Sequence, residues 1–305
     1  MQKDITNKNT NNQQAKALYH LQQKHNPKRT TMKYKAMISD FDDTLLRSDF
    51  TISQASVEAI KVYREAGGFF TISTGRMWAS IKKQLVHCGL DKFDLPIMNC
   101  QGSSAIMSLN GKVLFEEKID SITAVQFLEY TQQNDLYAQV YVDDVLCVDE
   151  WTDMTGTYTD ASKIDAKEVG NLAKYLEYNH KSPHKIVVMD MPSHTDKIVE
   201  KLQKDFANGG LEFSKSHPMI IEVTSIKAGK GNMAKRVMNH FGFDMKDVVC
   251  IGDSENDISM VKMAGFGACV GNARPALKAV SQLVVETNND DGVAKMIYRI
   301  LNNKI

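Results

Sequence analysis

The fold follows from one stretch of sequence, Ala36-Met37-Ile38-Ser39-Asp40-Phe41-Asp42-Asp43-Thr44-Leu45, in which a short apolar run passes directly into acids. The apolar run predicts a buried strand, and ligands bind beyond the carboxyl ends of strands in an open α/β sheet. Asp40 and Asp42 are two residues apart and would point the same way. Their carboxylates would repel each other unless a cation is bound or one of them holds a proton. A solvated acidic turn is the alternative, and it is the better one for Asp-x-Asp alone.

Three more apolar runs of this kind occur along the chain, and amphipathic stretches of helical period separate them. The runs are Phe69-Phe70-Thr71-Ile72, Pro96-Ile97-Met98 and Val248-Val249-Cys250-Ile251. The helical stretches are Ser53 to Glu65, Met77 to His87 and Gly231 to Phe241. Short buried strands that alternate with helices are typical of βαβ units. The sequence therefore predicts an α/β fold with a doubly wound parallel sheet.

The middle of the chain has a different pattern, in which hairpin signals are mixed with helical stretches. Asn110-Gly111 and Asp143-Asp144 each stand between two apolar runs, as the turn of a hairpin does. Hairpins mixed with helices predict an α+β module inserted into the parallel-sheet domain. We expect this module over residues 103–221, with residues 32–102 and 222–305 forming the core.

Polar groups follow two of the other apolar runs, and a lysine lies in a glycine-flanked turn. Thr74-Gly75-Arg76 offers a hydroxyl and a glycine amide where an anion is favoured, with simple helix capping as an equal alternative. Gly252-Asp253-Ser254-Glu255-Asn256-Asp257 places acids after a strand, unless it is a Gly-Asp turn with a helix cap. Lys230 has a surface lysine as its alternative. Together these groups supply what phosphoryl transfer requires.

With these motifs the sequence resembles the haloacid-dehalogenase-like hydrolases, specifically the Cof-type IIB branch of small-molecule phosphatases. The resemblance covers about Tyr34 to Ile300 and implies a Rossmann-like catalytic core with an inserted α+β cap that closes over the active site. It depends on Asp40-Phe41-Asp42-Asp43-Thr44, Thr74-Gly75-Arg76, Lys230-Gly231 and Gly252-Asp253-Ser254-Glu255-Asn256-Asp257, with weaker matches at Gly271-Asn272-Ala273 and residues 289–294.

The resemblance implies a catalytic role and a metal site for the acidic residues. Asp40 would be the nucleophile and form an aspartyl-phosphate, and Asp42 would be the general acid and base. Mg²⁺ prefers oxygen ligands, so its protein ligands would be Asp40, the backbone carbonyl of Asp42, and Asp253. Asp257 would be a further ligand, support these ligands, or orient Lys230.

The resemblance also implies which residues bind the phosphate. Thr74, Gly75 and Lys230 would hold the non-bridging oxygens of the phosphoryl group, and Asn256 matches a family position near the phosphate. One motif departs from the family pattern, because Gln101-Gly102-Ser103 stands where Cof-type sequences usually have Asn-Gly-Ala. Any role of that amide in orienting the cap or the substrate is therefore in doubt.

Four residues of the inserted module have competing interpretations. Trp151 and Tyr158 could stack on a ring of the substrate, but a surface position or packing between cap and core is the better prediction. His180 and His184 have the spacing of a zinc pair, yet Pro183 between them would break the helix that such a pair needs. We therefore predict that the two histidines belong to a solvated loop.

Charge and composition exclude several classes of protein. The 305 residues include 37 basic and 37 acidic ones, so the net charge of zero disfavours a dedicated nucleic-acid binder. No stretch approaches the about 18 consecutive apolar residues of a membrane span, and no secretory signal is evident. The five cysteines are widely spaced and predict reduced, buried thiols. We expect a soluble, cytoplasmic protein, as a monomer or weak homodimer.

Residues 1–31 differ in composition from the rest of the chain. They are rich in Asn and Gln, and six basic residues stand against one acid. We expect a flexible, polar, basic tail or one loosely docked helix, because such a segment buries little apolar surface. A natural translation start at Met32 is one alternative interpretation of this segment.

Taken together, the motifs predict an Mg²⁺-dependent phosphatase that hydrolyses a small organic phosphate monoester, with a sugar phosphate as the first expectation. A phosphomutase of sugar phosphates is one alternative, because an aspartyl-phosphate can pass its phosphoryl group to a second hydroxyl. A regulatory module that senses a phosphorylated metabolite is another alternative, suggested by the basic tail.

Overall fold

The structure is a computed structural model, and it describes residues 32–305. The described chain divides into two compact units. The first contains the residues up to Ser73 together with Ala234–Ile305, and the second is Thr74–Met233. The predicted tail over residues 1–31, and with it the proposed start at Met32, concerns a segment outside the described residues. No helix within residues 32–305 has the length and apolar character needed to cross a membrane.

Strands and helices alternate along most of the described chain. The strands are β1 (Ala36–Asp40), β2 (Phe69–Ser73), β3 (Pro96–Asn99), β4 (Ser104–Met107), β5 (Val113–Glu116), β6 (Tyr137–Val142), β7 (Val145–Val148), β8 (Ala166–Glu168), β9 (Lys185–Met189), β10 (Leu211–His217), β11 (Ile220–Ser225), β12 (Val248–Gly252), β13 (Phe266–Cys269) and β14 (Leu283–Val284). The helices are α1 (Gln54–Glu65), α2 (Trp78–His87), α3 (Ser121–Gln133), α4 (Asp153–Ser162), α5 (Leu172–Tyr178), α6 (Pro192–Asp205), α7 (Lys230–Phe241), α8 (Ile258–Met263), α9 (Pro275–Lys278) and α10 (Gly292–Leu301).

The first unit contains a parallel sheet in the order β14-β13-β12-β1-β2. All five residues of β1 are buried, as expected for a central strand that is covered on both faces. In the register of the sheet, Ala36 lies opposite Val248 of β12, and Asp40 lies opposite Ser73 of β2. The predicted α/β fold with a parallel sheet is confirmed. The register brings the acids after β1 and β12 to the same edge of the sheet.

The second unit contains the hairpins predicted from the sequence. Strands β4 and β5 pair antiparallel, with residues 108–112 between them, and β6 pairs antiparallel with β7. Asp143 and Asp144 form the turn of the second hairpin with φ values of 51° and 61°. Positive φ at both central residues is the requirement of the turn that matches strand twist in a two-residue hairpin.

A six-stranded sheet in the order β10-β11-β9-β6-β7-β8 forms the largest element of the second unit. Helix α3 packs on one side of a hydrophobic core that is centred on Phe127. The Phe127 ring lies 5.2 Å from the Phe206 ring and 5.8 Å from the Phe213 ring, measured between centroids. Strands, α3 and α6 therefore share one aromatic core.

We expect Phe127→Ala to lower the free energy of unfolding by about 3–5 kcal/mol, because the ring is fully buried and the cavity cannot collapse completely. Ile122→Ala on the same helix is the matched control, since Ile122 is 69% exposed, and it should change the stability by less than about 0.5 kcal/mol. Urea unfolding of both variants measures the difference. Equal losses in the two variants would contradict the placement of α3.

Candidate active site

Three carboxylates lie together at the carboxyl end of the parallel sheet. One oxygen of each of Asp40, Asp253 and Asp257 lies within 4.8 Å of the other two. Asp40 is 4% exposed and Asp257 is fully buried, so the solvated acidic turn that competed for Asp40 is wrong. Buried carboxylates this close destabilise each other when all are ionised. An oxygen-only donor set of this kind suits a hard divalent cation.

The position of Asp257 is set by the turn between β12 and α8. Asp257 Oδ2 accepts hydrogen bonds from the backbone N–H of Asp253 at 3.0 Å and of Ser254 at 3.2 Å. The turn is therefore capped, as the alternative for this motif predicted, and its capping carboxylate is also a member of the acidic cluster. Gly252 is required here, because a Cβ at that position would lie 2.4 Å from Asp257 Oδ2.

Asp253 is oriented by two hydroxyl groups. Ser254 Oγ donates a hydrogen bond to Asp253 Oδ2 at 2.7 Å, and Thr44 Oγ1 donates to Asp253 Oδ1 at 3.4 Å. Thr44 is buried and belongs to the loop after β1. We assigned it no role from the sequence, although its place in the motif Asp-x-Asp-x-Thr was a usable signal. The hydroxyl links the two acidic loops.

The loop after β1 is also held by Asn272 of one weaker motif and by Asn288, which directly precedes the other. Asn272 Nδ2 donates a hydrogen bond to the carbonyl of Asp43 at 2.8 Å, where the backbone is left-handed with φ 52°. Asn288 N donates to Asn272 Oδ1 at 2.9 Å, and Asn288 Nδ2 donates to the carbonyl of Leu46 at 3.1 Å. These amides fix the course of the chain just after Asp42. Their contribution to the site is visible only in the folded protein.

The other two predicted residues of the first unit lie beside the cluster in sequence. Asp42 is half-buried in the loop after β1, and its carboxylate is not a member of the cluster found among the described acids. Its predicted contribution as a ligand is its backbone carbonyl. Asn256 is half-buried in the turn Glu255–Asp257. The carboxylates of Asp40, Asp253 and Asp257 therefore lie together in the fold. Asp42 and Asn256 are close to these acids in the sequence, but their side chains do not belong to the cluster.

Thr74 and Gly75 form a turn in the second unit that is closely bonded to its surroundings. Thr74 is fully buried, its N–H donates to the carbonyl of Met98 at 2.8 Å, and its own carbonyl accepts from Gln101 N at 3.1 Å. Thr74 Oγ1 accepts a hydrogen bond from Arg76 N at 3.1 Å. Helix α2 begins at Trp78 with Met77 as its N-cap, so simple helix capping by Thr74 is wrong.

The hydrogen bonds of this turn leave two donors for a ligand. Because Thr74 Oγ1 accepts from Arg76 N, its own O–H proton points elsewhere. The Gly75 N–H has no acceptor among the described residues, and Gly75 is only half-buried. A hydroxyl and an amide side by side are suitable donors for two phosphoryl oxygens.

Lys230 lies in the second unit, next to the turn that contains Gln101. It is 2% exposed and is the first residue of α7, so the surface lysine is wrong. Gly102 approaches the preceding residue closely, since a Cβ on Gly102 would lie 2.4 Å from the carbonyl oxygen of Gly229. Cys100, Gln101 and Gly102 all have positive φ, of 49°, 57° and 81°. Gln101, where the sequence departs from the family pattern, therefore lies in a strained, buried turn.

Tyr158 and His184 are both buried. The Tyr158 hydroxyl hydrogen-bonds the Tyr141 hydroxyl, which confirms packing for Tyr158, whereas Trp151 is 55% exposed. The solvated loop is wrong for His184, whose Nε2 lies 3.0 Å from Glu116 Oε1, although His180 is exposed. Burial lowers the pKa of His184, and the hydrogen bond to Glu116 only partly opposes this. The prediction failed because His184 contacts a residue 68 positions away.

Four of the five cysteines are buried, in agreement with the prediction. Burial raises the pKa of the Cys100 thiol to about 12. Burial, with the nearby charge of Asp257, also raises the pKa of Cys250. A thiol that stays protonated is a poor nucleophile. Neither thiol competes with the carboxylates as the reactive group.

Comparisons with known proteins give a consistent result. A family model described as haloacid dehalogenase-like hydrolase matches residues 37–297. The 5-amino-6-(5-phospho-D-ribitylamino)uracil phosphatase YwtE of Bacillus subtilis is 27% identical over 289 residues, 88% of this chain and 99% of the relative. The pyridoxal phosphate phosphatase YbhA of Escherichia coli is 28% identical over 277 residues, 88% and 98% of the two chains. A crystal structure from Thermotoga maritima, 26% identical, has a TM-score of 0.75 and matches 87% of this chain and 97% of its own.

We expect Gly252→Ala to weaken Mg²⁺ binding by about tenfold or more, because the new Cβ would displace the Asp257 carboxylate from the cluster. Isothermal titration with Mg²⁺ measures the change. Gly156→Ala is the matched control: Gly156 lies in α4, where the nearest group to an added Cβ is the exposed Trp151 ring at 3.9 Å. Mg²⁺ binding by the Gly252→Ala variant at wild-type strength would contradict the role assigned to the glycine.

Proposed function

Because the chain belongs to the haloacid dehalogenase-like hydrolases and is a phosphatase of that superfamily, we propose that it hydrolyses small organic phosphate monoesters with bound Mg²⁺ through an aspartyl-phosphate on Asp40. The observation that carries this proposal is the cluster of Asp40, Asp253 and Asp257 at the end of the parallel sheet. Two further carboxylates beside a nucleophilic carboxylate would only add repulsion, unless the three together bind a cation.

The residues present fit Mg²⁺. Three carboxylate oxygens within 4.8 Å of one another can share one ion, and the backbone carbonyl of Asp42 is our proposed further ligand. Mg²⁺ keeps several waters and needs few protein oxygens, so this set is sufficient. When bound, the ion would offset the negative charge of the acids and stabilise charge on the phosphoryl oxygens. Asp253 and Asp257 would hold it, with Thr44 and the turn amides fixing their orientation.

The proposed reaction has two steps that share the same acids. In the first step an Asp40 carboxylate oxygen attacks phosphorus, the ester P–O bond breaks, and Asp42 gives its proton to the leaving oxygen. In the second step Asp42 takes a proton from water, the water oxygen attacks phosphorus, and the bond between phosphorus and the Asp40 oxygen breaks, which releases phosphate and restores the Asp40 carboxylate. The half-buried position of Asp42 supports this role, because a group that exchanges protons with water needs access to it.

We assign the binding of the phosphoryl oxygens to Thr74, Gly75, Lys230 and Asn256. The hydroxyl of Thr74 and the amide of Gly75 are suitable donors, and the burial of Lys230 supports a charged contact rather than a surface role. A lysine removed from water interacts strongly with an anion. Donors aimed at charge that develops in the transition state contribute more to rate than to ground-state binding.

We propose a small phosphorylated metabolite as the substrate, with sugar phosphates first. The names of two relatives, a phosphoribitylaminouracil phosphatase and a pyridoxal phosphate phosphatase, support leaving groups of this size. We propose that residues 103–221 form a cap that selects the leaving group and that residues 32–102 and 222–305 form the catalytic core. A cytoplasmic monomer or weak homodimer completes the proposal.

A panel of phosphorylated metabolites, assayed for free phosphate with Mg²⁺ and again with EDTA, tests the function. We expect turnover of a subset of the panel, and its loss by at least tenfold on chelation because the acids then repel one another and the phosphate. Isomerised sugar phosphate without free phosphate would instead favour a phosphomutase. No phosphate released from any compound would refute the proposed function.

Substitution of the two acids after β1 tests their separate roles. Asp40→Asn should abolish turnover, and Asp42→Asn should reduce kcat by roughly 10²–10⁴-fold because general acid catalysis is lost. Asp43→Asn is the matched control, since Asp43 is exposed and asparagine accepts its left-handed backbone. Phosphate release and trapping of the phosphorylated enzyme measure the outcome, and an active Asp40→Asn variant would remove Asp40 as nucleophile.

A further inference from the structure

A lysine and a glutamate are buried together in the six-stranded sheet, and the reaction proposed above uses neither of them. Lys185 is 1% exposed at the start of β9, and Glu222 is 4% exposed in β11. Lys185 Nζ lies 2.6 Å from Glu222 Oε2 and 4.4 Å from the centroid of the Tyr141 ring. Burial disfavours the charged form of Lys185, whereas the neighbouring Glu222 favours it. The pKa of Lys185 is raised above its usual value. The two side chains have the geometry of a buried ion pair.

Stability alone gives no adequate reason for such a pair. Removing two charges from water is unfavourable, and replacement of a buried pair by apolar residues of similar volume is often neutral or stabilising. The surrounding groups therefore indicate what the pair does. Among them is the carbonyl oxygen of Gly75, which accepts a hydrogen bond from Lys185 Nζ at 2.9 Å.

That carbonyl belongs to the peptide group between Gly75 and Arg76. At the other end of the same peptide, Arg76 N donates a hydrogen bond to Thr74 Oγ1 at 3.1 Å. Lys185 therefore fixes the plane of the peptide that orients the Thr74 hydroxyl. A cation on the carbonyl also polarises the peptide and strengthens the hydrogen bond that its N–H donates. The hydroxyl proton of Thr74 is thereby kept away from Arg76 and available to a ligand.

Glu222 holds Lys185 in the position that this requires. Its Oε2 faces Lys185, and its Oε1 accepts a hydrogen bond from Ser216 Oγ at 2.8 Å. The carboxylate is thus fixed from two sides by residues of the six-stranded sheet. Gly75 lies close to the same group, because a Cβ on Gly75 would be 3.8 Å from Glu222 Oε1. The sheet and the Thr74-Gly75 turn are connected through this pair.

We propose that Lys185 and Glu222 are the positioning pair of the phosphate-binding turn, an inference that rests on the proposed function. Lys185 orients the Gly75–Arg76 peptide and, through it, the Thr74 hydroxyl, and Glu222 holds Lys185 in place. The pair acts on the phosphoryl group, which all substrates share, and not on the leaving group. Loss of the pair therefore affects every substrate by a similar factor.

The double variant Lys185→Met/Glu222→Met tests this role, because it removes both charges and leaves no unpaired buried ion. We expect its thermal midpoint to stay within a few degrees of the wild type. Its affinity for inorganic phosphate and its kcat/KM should each fall roughly 10- to 100-fold, the effect of losing a hydrogen bond to a charged group. The affinity for Mg²⁺, which the acids of the first unit would bind, should stay unchanged.

A substrate series and a control variant separate this role from other ones. The kcat/KM values of p-nitrophenyl phosphate, a sugar phosphate and pyridoxal phosphate should fall by the same factor in the double variant. Lys215→Met is the control, because Lys215 forms an ion pair with the exposed Asp196 in the same unit and should leave all values unchanged. Lys185→Met alone should also lose stability, since it leaves the Glu222 carboxylate buried without its partner.

Two outcomes would overturn the inference: wild-type phosphate affinity and kcat/KM in the double variant, or losses that differ strongly between substrates. Failure of the proposed function is a different result, in which the wild-type protein releases no phosphate from any compound. The titration with inorganic phosphate still decides the role of the pair in that case, because it measures the turn without turnover. Phosphate binding that weakens in the double variant and keeps its wild-type strength in Lys215→Met supports the pair.

Discussion

Repulsion among three carboxylates is the constraint on which the first unit depends. Asp40, Asp253 and Asp257 offer oxygens within 4.8 Å of one another, and two of these residues are almost completely buried. Such an arrangement needs backbone and hydroxyl donors to hold it, and either a bound cation or a retained proton relieves its repulsion. The strand register, the amides of the turn after β12 and the Thr44 hydroxyl are the donors and supports that the structure provides.

The second unit contributes hydrogen-bond donors, whereas the first contributes carboxylates. Thr74 gains a directed hydroxyl from a hydrogen bond within its own turn, and Gly75 offers an amide. A turn with so few side chains has little rigidity of its own, and its precision must come from neighbours. The bond from Lys185 to the Gly75 carbonyl and the bond from Gln101 to the Thr74 carbonyl supply that rigidity.

Strand ends could be predicted from the sequence, and this explains which parts of the site were foreseen. The apolar run before Asp40 and the run before Asp253 are local signals, and parallel topology brings the ends of such strands to one edge of a sheet. Thr44 and Asn272 belong to recognisable motifs, but their hydrogen bonds join residues 209 and 229 positions apart. Local patterns do not predict such contacts. The hairpin at Asp143-Asp144 was equally local and was confirmed.

Residues that act through other residues leave no comparable trace in one sequence. Lys185 and Glu222 are charged residues in two strands of the six-stranded sheet, and their contact forms only when the register of β9 and β11 brings them together. His184, the neighbour of Lys185, shows the same limit, since its partner Glu116 belongs to β5. A site of this kind is therefore specified at two levels. Local motifs supply the groups to which the proposed chemistry is assigned, and long-range pairing determines how accurately those groups are held.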